Sequence, residues 1–325
     1  MLLRKSIMKK KEGIMPNLQF RKGQNAILLG NGINNVSHNH SWKDLLKHLD
    51  NRIRLEDKSY PMAFEEIVLN RSKENKQDYD SSLKTIKDCI SESCKNIELN
   101  KFHSKISGID VKTILTTNYD YAIERAFDSK FSIDKSKVNT DVKRDYKYSL
   151  HRYNKVKRTK IWHIHGELDN GKSTKNEKQY SSASIMIGHE HYGDYYRRIH
   201  QYLRPFSTDM LSIEKSNQRE CWVDFFFTHN VHIAGLSLHS DEFHLWWILA
   251  HRARLMKKLN VKNKIIYHCA SYDIKTPEQR SIIDLLTAYG VIIERIDMQD
   301  DTGRKYEKYW ESFFKSINNK IRKYQ

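Results

Sequence analysis

The chain has 325 residues, with 57 Lys and Arg against 40 Asp and Glu, for a formal net charge of +17. A 38% hydrophobic and 11% aromatic content excludes a disordered chain and predicts a packed core, at a length that suits one large or two modest domains. Only 4 Pro and 12 Gly exclude long flexible linkers, and no apolar run approaches the roughly 20 residues that cross a bilayer, so no membrane partner is expected.

The positive balance favours acidic partners such as nucleic acid, phosphorylated cofactors or an anionic surface. A lysine-rich solvated surface accounts for it as well. The cysteines are Cys89, Cys94, Cys221 and Cys269, with no C-x-x-C pair. That spacing argues against a zinc ribbon and fits reduced thiols in a cytoplasmic protein.

In chain order, residues 1–24 read as a basic arm without the continuous apolar core of a signal peptide. The remainder, 25–325, reads as a single α/β domain with helical insertions near 41–107 and 190–228. Asn25 to Leu29 form a short apolar strand that runs into Gly30, Asn31, Gly32, Ile33 and Asn34. Glycines after a buried strand allow a tight turn and let the backbone approach a phosphate, although an ordinary glycine turn has the same signature. The third glycine of the dinucleotide fingerprint is missing. Ser41 is placed to cap a helix carrying Leu45, Leu46 and Leu49 on one face. Helices are also expected at 61–71 and 81–107.

The segment 111–117 reads as a buried strand that stops on Thr116, Thr117, Asn118 and Asp120 before a helix begins at Tyr121. Ligands bind outside the carboxyl ends of strands in open α/β sheets, so this polar cluster is a site candidate. Residues 129–160 are dense in Lys and Arg and carry Tyr146, Tyr148 and Tyr153. Such a stretch can bind nucleic acid by charge and stacking, or be an exposed hairpin.

A strand at 161–166 ends on His163, His165 and Gly166, and strand alternation puts the two histidines on one face. Histidines at i and i+2 can ligate a metal, but no third ligand stands at a diagnostic spacing. A short strand is expected at 184–188, then a helix to about 211, a short helix at 218–227, and a strand from Val231 into Gly235, Leu236 and Ser237. Ser240 or Asp241 would cap a helix over 242–258 whose Phe243, Trp246, Trp247 and Leu249 face the core. A strand at 263–269, a helix begun by Thr276 and Pro277, a strand at 291–296 and an amphipathic helix at 305–323 complete the pattern. Strands alternating with helices predict a doubly wound, mostly parallel sheet. Its polar strand ends at 30–34, 116–120, 165–166 and 235–237 would then meet at one edge.

Taken in that order, these segments resemble the Rossmann-like sirtuin family of NAD-binding proteins, and in particular the sirtuin-like effectors of bacterial anti-phage defence. The Gly30–Gly32 opening and the runs at 163–168 and 185–189 also resemble the abortive-infection AbiH proteins, and the matching motifs spread over about residues 25–250. The resemblance implies NAD+ as substrate, with Gly30, Asn31, Gly32 and Asn34 at its phosphates. Asn118 would position the nicotinamide ribose and the attacking water, with Thr117 beside it. His165 would be the general base, and Gly235 and Ser237 would contact the adenosine side. Asp120 either joins the site or caps the following helix.

An amide can hold a water or hydroxyl in either polarity, and a histidine's ordinary pKa lets it accept a proton near neutral pH, so this chemistry requires no metal. The four-cysteine zinc module and acyl-lysine segment of deacetylating sirtuins are missing, Asn31 replaces their alanine, and residues 36–39 lack their glycine-proline signature. These departures argue against protein deacetylation and toward NAD+ hydrolysis, and the resemblance implies an anti-phage effector. Two alternatives are a catalytically silent nucleotide- or nucleic-acid-binding module, and ADP-ribosyl transfer. As partners, the resemblance implies a homo-oligomer and an activator supplied by phage or by another protein.

Overall fold

A computed structural model of the chain describes residues 24–36, 41–56, 58–95, 97–132, 141–143, 148–168, 184–208, 220–256, 261–271, 276–296 and 305–324. Residues 1–23 of the expected basic arm, residues 37–39 and Tyr146 lie outside them.

Among the described residues, eight strands form one sheet in the order β3-β4-β5-β2-β1-β6-β7-β8. They are β1 (Asn25–Leu29), β2 (Thr113–Thr116), β3 (Asp141–Lys143), β4 (Tyr153–Val156), β5 (Thr159–His163), β6 (Asn230–Ala234), β7 (Ile265–Ala270) and β8 (Ile292–Ile296). The pairs from β5 through β2, β1, β6 and β7 to β8 are parallel, while β3 and β4 add an antiparallel edge. The central strands read as unbroken apolar runs because both faces are covered. Ile27 and Leu29 belong to one core with Ile114, Phe64 and Trp310, whereas Ala26 and Leu28 belong to the other with Leu115, Trp162 and Ile248.

Helices α1 (Trp42–Leu49), α2 (Tyr60–Asn75), α3 (Tyr79–Lys95) and α4 (Lys101–Ile106) fill the connection from β1 to β2. Ser41 caps α1 with a reciprocal capping box through Asp44. α5 (Ala122–Phe127) follows β2, and α6 (His189–Thr208) with α7 (Phe225–Thr228) lies between β5 and β6. α8 (Phe243–Leu255), α9 (Pro277–Ala288) and α10 (Lys305–Lys323) complete the order.

The chain leaves β1 toward β2 on one side and returns to β6 on the other. The carboxyl end of β1 is therefore the topological switch point, where a doubly wound sheet opens a crevice. Leu29 is in register with Thr116 and Ala234, so the loops after β1, β2 and β6 begin at one level.

Three expectations are corrected. Residues 184–187 make no strand, since Met186 N–H bonds the His165 carbonyl at 2.9 Å outside any ladder. Phe243 is 55% exposed, because α8 turns His244, Leu245, Ile248 and Arg252 inward instead. Asp241 does not cap its own helix; its Oδ2 accepts Tyr60 N–H at the start of α2, at 2.9 Å.

Candidate functional site

The loop after β1 packs directly on the loop after β6. Gly30 N–H bonds the Ala234 carbonyl at 3.0 Å, and Gly32 N–H bonds the Gly235 carbonyl at 2.9 Å. A Cβ at Gly30 would lie 2.3 Å from the Gly235 oxygen and 2.7 Å from Leu236 Cα. The first glycine is therefore required by loop-on-loop contact, a reason distinct from close approach of a phosphate. Trp310 of α10 closes the junction by donating its indole N–H to the Gly32 carbonyl at 2.9 Å.

Two cavities open here. One of about 290 Å³ is lined by Asn31, Gly32, Gly235, Ser237, Asp241, Glu242, Tyr192, Tyr267 and Gln279, among others. The other, of about 380 Å³, is lined by Asn118, Asp120, Asp44, His48, Cys94 and their neighbours. Asn31, Ser41 and Trp42 wall both, so the two meet across the start of α1.

Asn118 stands at the end of β2 and is only 5% exposed. Its main-chain N–H is tied to Thr116 Oγ1 at 3.1 Å and its carbonyl accepts from His163 Nδ1 at 2.7 Å. Its side-chain Oδ1 and Nδ2 have no hydrogen-bond partner among the described residues. A buried amide with both ends unsatisfied costs stability, and one that walls a cavity can meet a bound partner there.

Both carboxyl oxygens of Asp120 are tied. Its Oδ1 accepts the Ala122 N–H at 2.8 Å at the start of α5, and its Oδ2 accepts Asn34 Nδ2 at 2.9 Å. Asn34 Oδ1 in turn meets His103 Nε2 at 3.0 Å. Burial, only partly offset by Asp120 and reinforced by Arg125, lowers the His103 pKa to about 4, so this ring is neutral. Asn34 is thus a buried brace between the β1 loop and the β2 end. Thr117 is buried too, its N–H on the Leu29 carbonyl at 3.2 Å.

His165 is 1% exposed and lines neither cavity. Its Nε2 lies 3.0 Å from His244 Nε2 and 3.1 Å from Glu242 Oε2, and its ring stands edge-on to Tyr192 at 5.6 Å. Glu242 and Tyr192 separate it from the cavity of about 290 Å³. Burial opposes charge on Glu242, but His165, His244 and His239 outweigh it and hold the carboxyl below its usual range. Burial and His165 push His244 down to about 3 against the pull of Glu242, so it stays neutral. The three donor atoms lie within 4.8 Å of one another. His165 and His244 each leave Nδ1 without a partner among the described residues, whereas metal-bound histidines usually anchor that second nitrogen.

The two histidines of 163–165 do not share surroundings as alternation predicts. β5 ends at His163, and the turn through Gly166, at φ +81°, sends His165 toward α6 and α8 while His163 meets α5. Sequence reasoning missed Glu242, His244 and Trp42 as neighbours of the site. Glu242 and His244 reach His165 from nearly 80 positions away, and no local pattern announces such a pairing.

Residues 112–291 match the family described as SIR2-like domain, which spans more than half of the chain. No curated protein matches it.

Proposed function

The chain belongs to the SIR2-like domain family, and on that premise we propose that it is an NAD+ glycohydrolase that cuts the nicotinamide–ribose bond. The family supports an NAD-related role. The observation that carries the finer reading is the unpartnered amide of Asn118, buried at the end of β2 beside the switch point.

In this reading the dinucleotide spans both cavities, with its adenosine side at Gly235 and Ser237 and its nicotinamide ribose at Asn118. The bond from C1′ of the ribose to the ring nitrogen breaks, and its electron pair leaves with neutral nicotinamide. Water adds to C1′, held by the Asn118 amide, which can accept from the water and donate to a ribose hydroxyl. The proton released passes to the Glu242–His165 pair, whose carboxylate lines the adjoining cavity and lies 3.1 Å from the buried imidazole. His165 is then the base and Glu242 its charged partner. The biological setting we propose is anti-phage abortive infection, supported by the motif resemblance alone, with activity held back until a trigger arrives.

The test is incubation of the protein with NAD+ under activating conditions, with nicotinamide and ADP-ribose separated and quantified. Wild type should release both, while Asn118→Ala and His165→Ala should not. Equal turnover by all three proteins would refute the assignment.

A further inference from the structure

His163 takes no part in the chemistry above, yet both of its ring nitrogens are engaged beside Asn118. Its Nδ1 lies 2.7 Å from the Asn118 carbonyl oxygen and its Nε2 lies 2.7 Å from Glu124 Oε1. Both partners only accept, so both ring nitrogens must donate and the ring is an imidazolium. We propose that His163 is a positioning residue, a charged clamp that holds the Asn118 main chain so that its side-chain amide faces the cavity. The inference rests on the role of Asn118 proposed above.

The clamp is itself held from behind. Glu124 of α5 is fully buried, and its Oε1 also accepts Asn154 Nδ2 at 2.9 Å. The same Asn154 nitrogen reaches Glu167 Oε2 at 2.9 Å, and Glu167 is ion-paired with Arg152. The groups around the ring are thus Glu124 on α5, Glu167 after β5, Arg152 before β4, and the Tyr121 ring edge at 5.6 Å. A neutral ring would turn a lone pair toward either the Asn118 carbonyl or the carboxylate, and one of the two bonds would break. Burial works against the charge, but Glu124, aided by Glu167 and the Asn118 carbonyl, raises the ring's pKa to about 9. Because both nitrogens are engaged, His163 has no lone pair to offer a metal.

The experiment combines nitrogen-15 NMR of the histidine rings with kinetics. In wild type, the His163 ring should keep both N–H signals at about pH 8, and in Glu124→Gln it should lose one. A neutral His163 ring in wild type at that pH overturns the proposal, whether or not the protein cleaves NAD+ and whether or not the variant folds. In the cleavage assay, Glu124→Gln and His163→Gln should lower kcat roughly tenfold or more with KM within about threefold of wild type, since orientation rather than binding is lost. The alkaline limb of kcat should move from about pH 9 toward neutrality in Glu124→Gln. An unmoved limb, or unchanged kcat in both variants, contradicts the proposal. If wild type releases no more nicotinamide than Asn118→Ala, the glycohydrolase reading fails instead, and the ring spectra still decide the clamp.

Discussion

Asn118 and His163 make opposite demands on stability. The Asn118 amide is buried without partners, so removing it sacrifices no hydrogen bond and relieves a desolvation cost. Asn118→Ala should therefore unfold at the same temperature as wild type or be more stable by about 1 kcal/mol, while losing NAD+ cleavage. Calorimetry beside the cleavage assay checks this, and a strongly destabilised variant would show that the amide has a structural partner. His163 is the reverse case, with a folded-state pKa above its unfolded one. Its stabilisation is whole below the ordinary histidine range and fades as pH rises through about 9. Denaturant midpoints should fall over that window in wild type and not in His163→Gln. Asn118 and His165 stood out in the sequence because each ends an apolar strand on a polar residue. The clamp on Asn118 could not be seen there, since His163 and Glu124 meet only after α5 packs beside β4 and β5.

The site is built where two loops share backbone contact. Gly30→Ala would drive a methyl group into the Gly235 carbonyl and Leu236, neither of which is a flexible side-chain tip. It should cost about 1–3 kcal/mol by overpacking and weaken NAD+ binding together with stability. Equilibrium unfolding and a binding isotherm on one preparation measure both. Most elements were legible, because parallel strands covered on both faces leave apolar runs and because Ser41 and Thr276 cap as their residue types suggest. The segment at 184–187 misled because its apolar residues fill a core without pairing in the sheet. Phe243 misled because an aromatic at the head of a helix can lie beyond the edge of the buried face, as it does here.

Across the whole molecule the formal charge is +17, yet the described lining of the cavity of about 290 Å³ carries none of its lysines or arginines. Among the described residues lining it are Asp241 and Glu242 but no Lys or Arg, and the polar groups toward the β1 loop are Asn31, Asn35 and Ser41. A substrate diphosphate would be met there by neutral donors rather than by cations. The KM for NAD+ should therefore change by less than about twofold between low and moderate salt, whereas a site built on surface lysines would weaken steeply. Steady-state kinetics across a salt series decides between them. The sheet order and the switch point follow from the alternation of strands and helices in the sequence. The separation of His165 from the cavity by Glu242 and Tyr192 does not, because it depends on how α6 and α8 close over β5.

We propose that the crevice at the carboxyl ends of β1, β2 and β6 holds the dinucleotide with its nicotinamide ribose at Asn118. A crystal structure of the protein soaked with ADP-ribose tests it most directly. Density should run from the Gly235–Ser237 loop past Asn31 and Trp42, with the distal ribose hydrogen-bonded to the Asn118 amide. ADP-ribose seated elsewhere on the chain, or in this crevice with Asn118 still unpartnered, would contradict it.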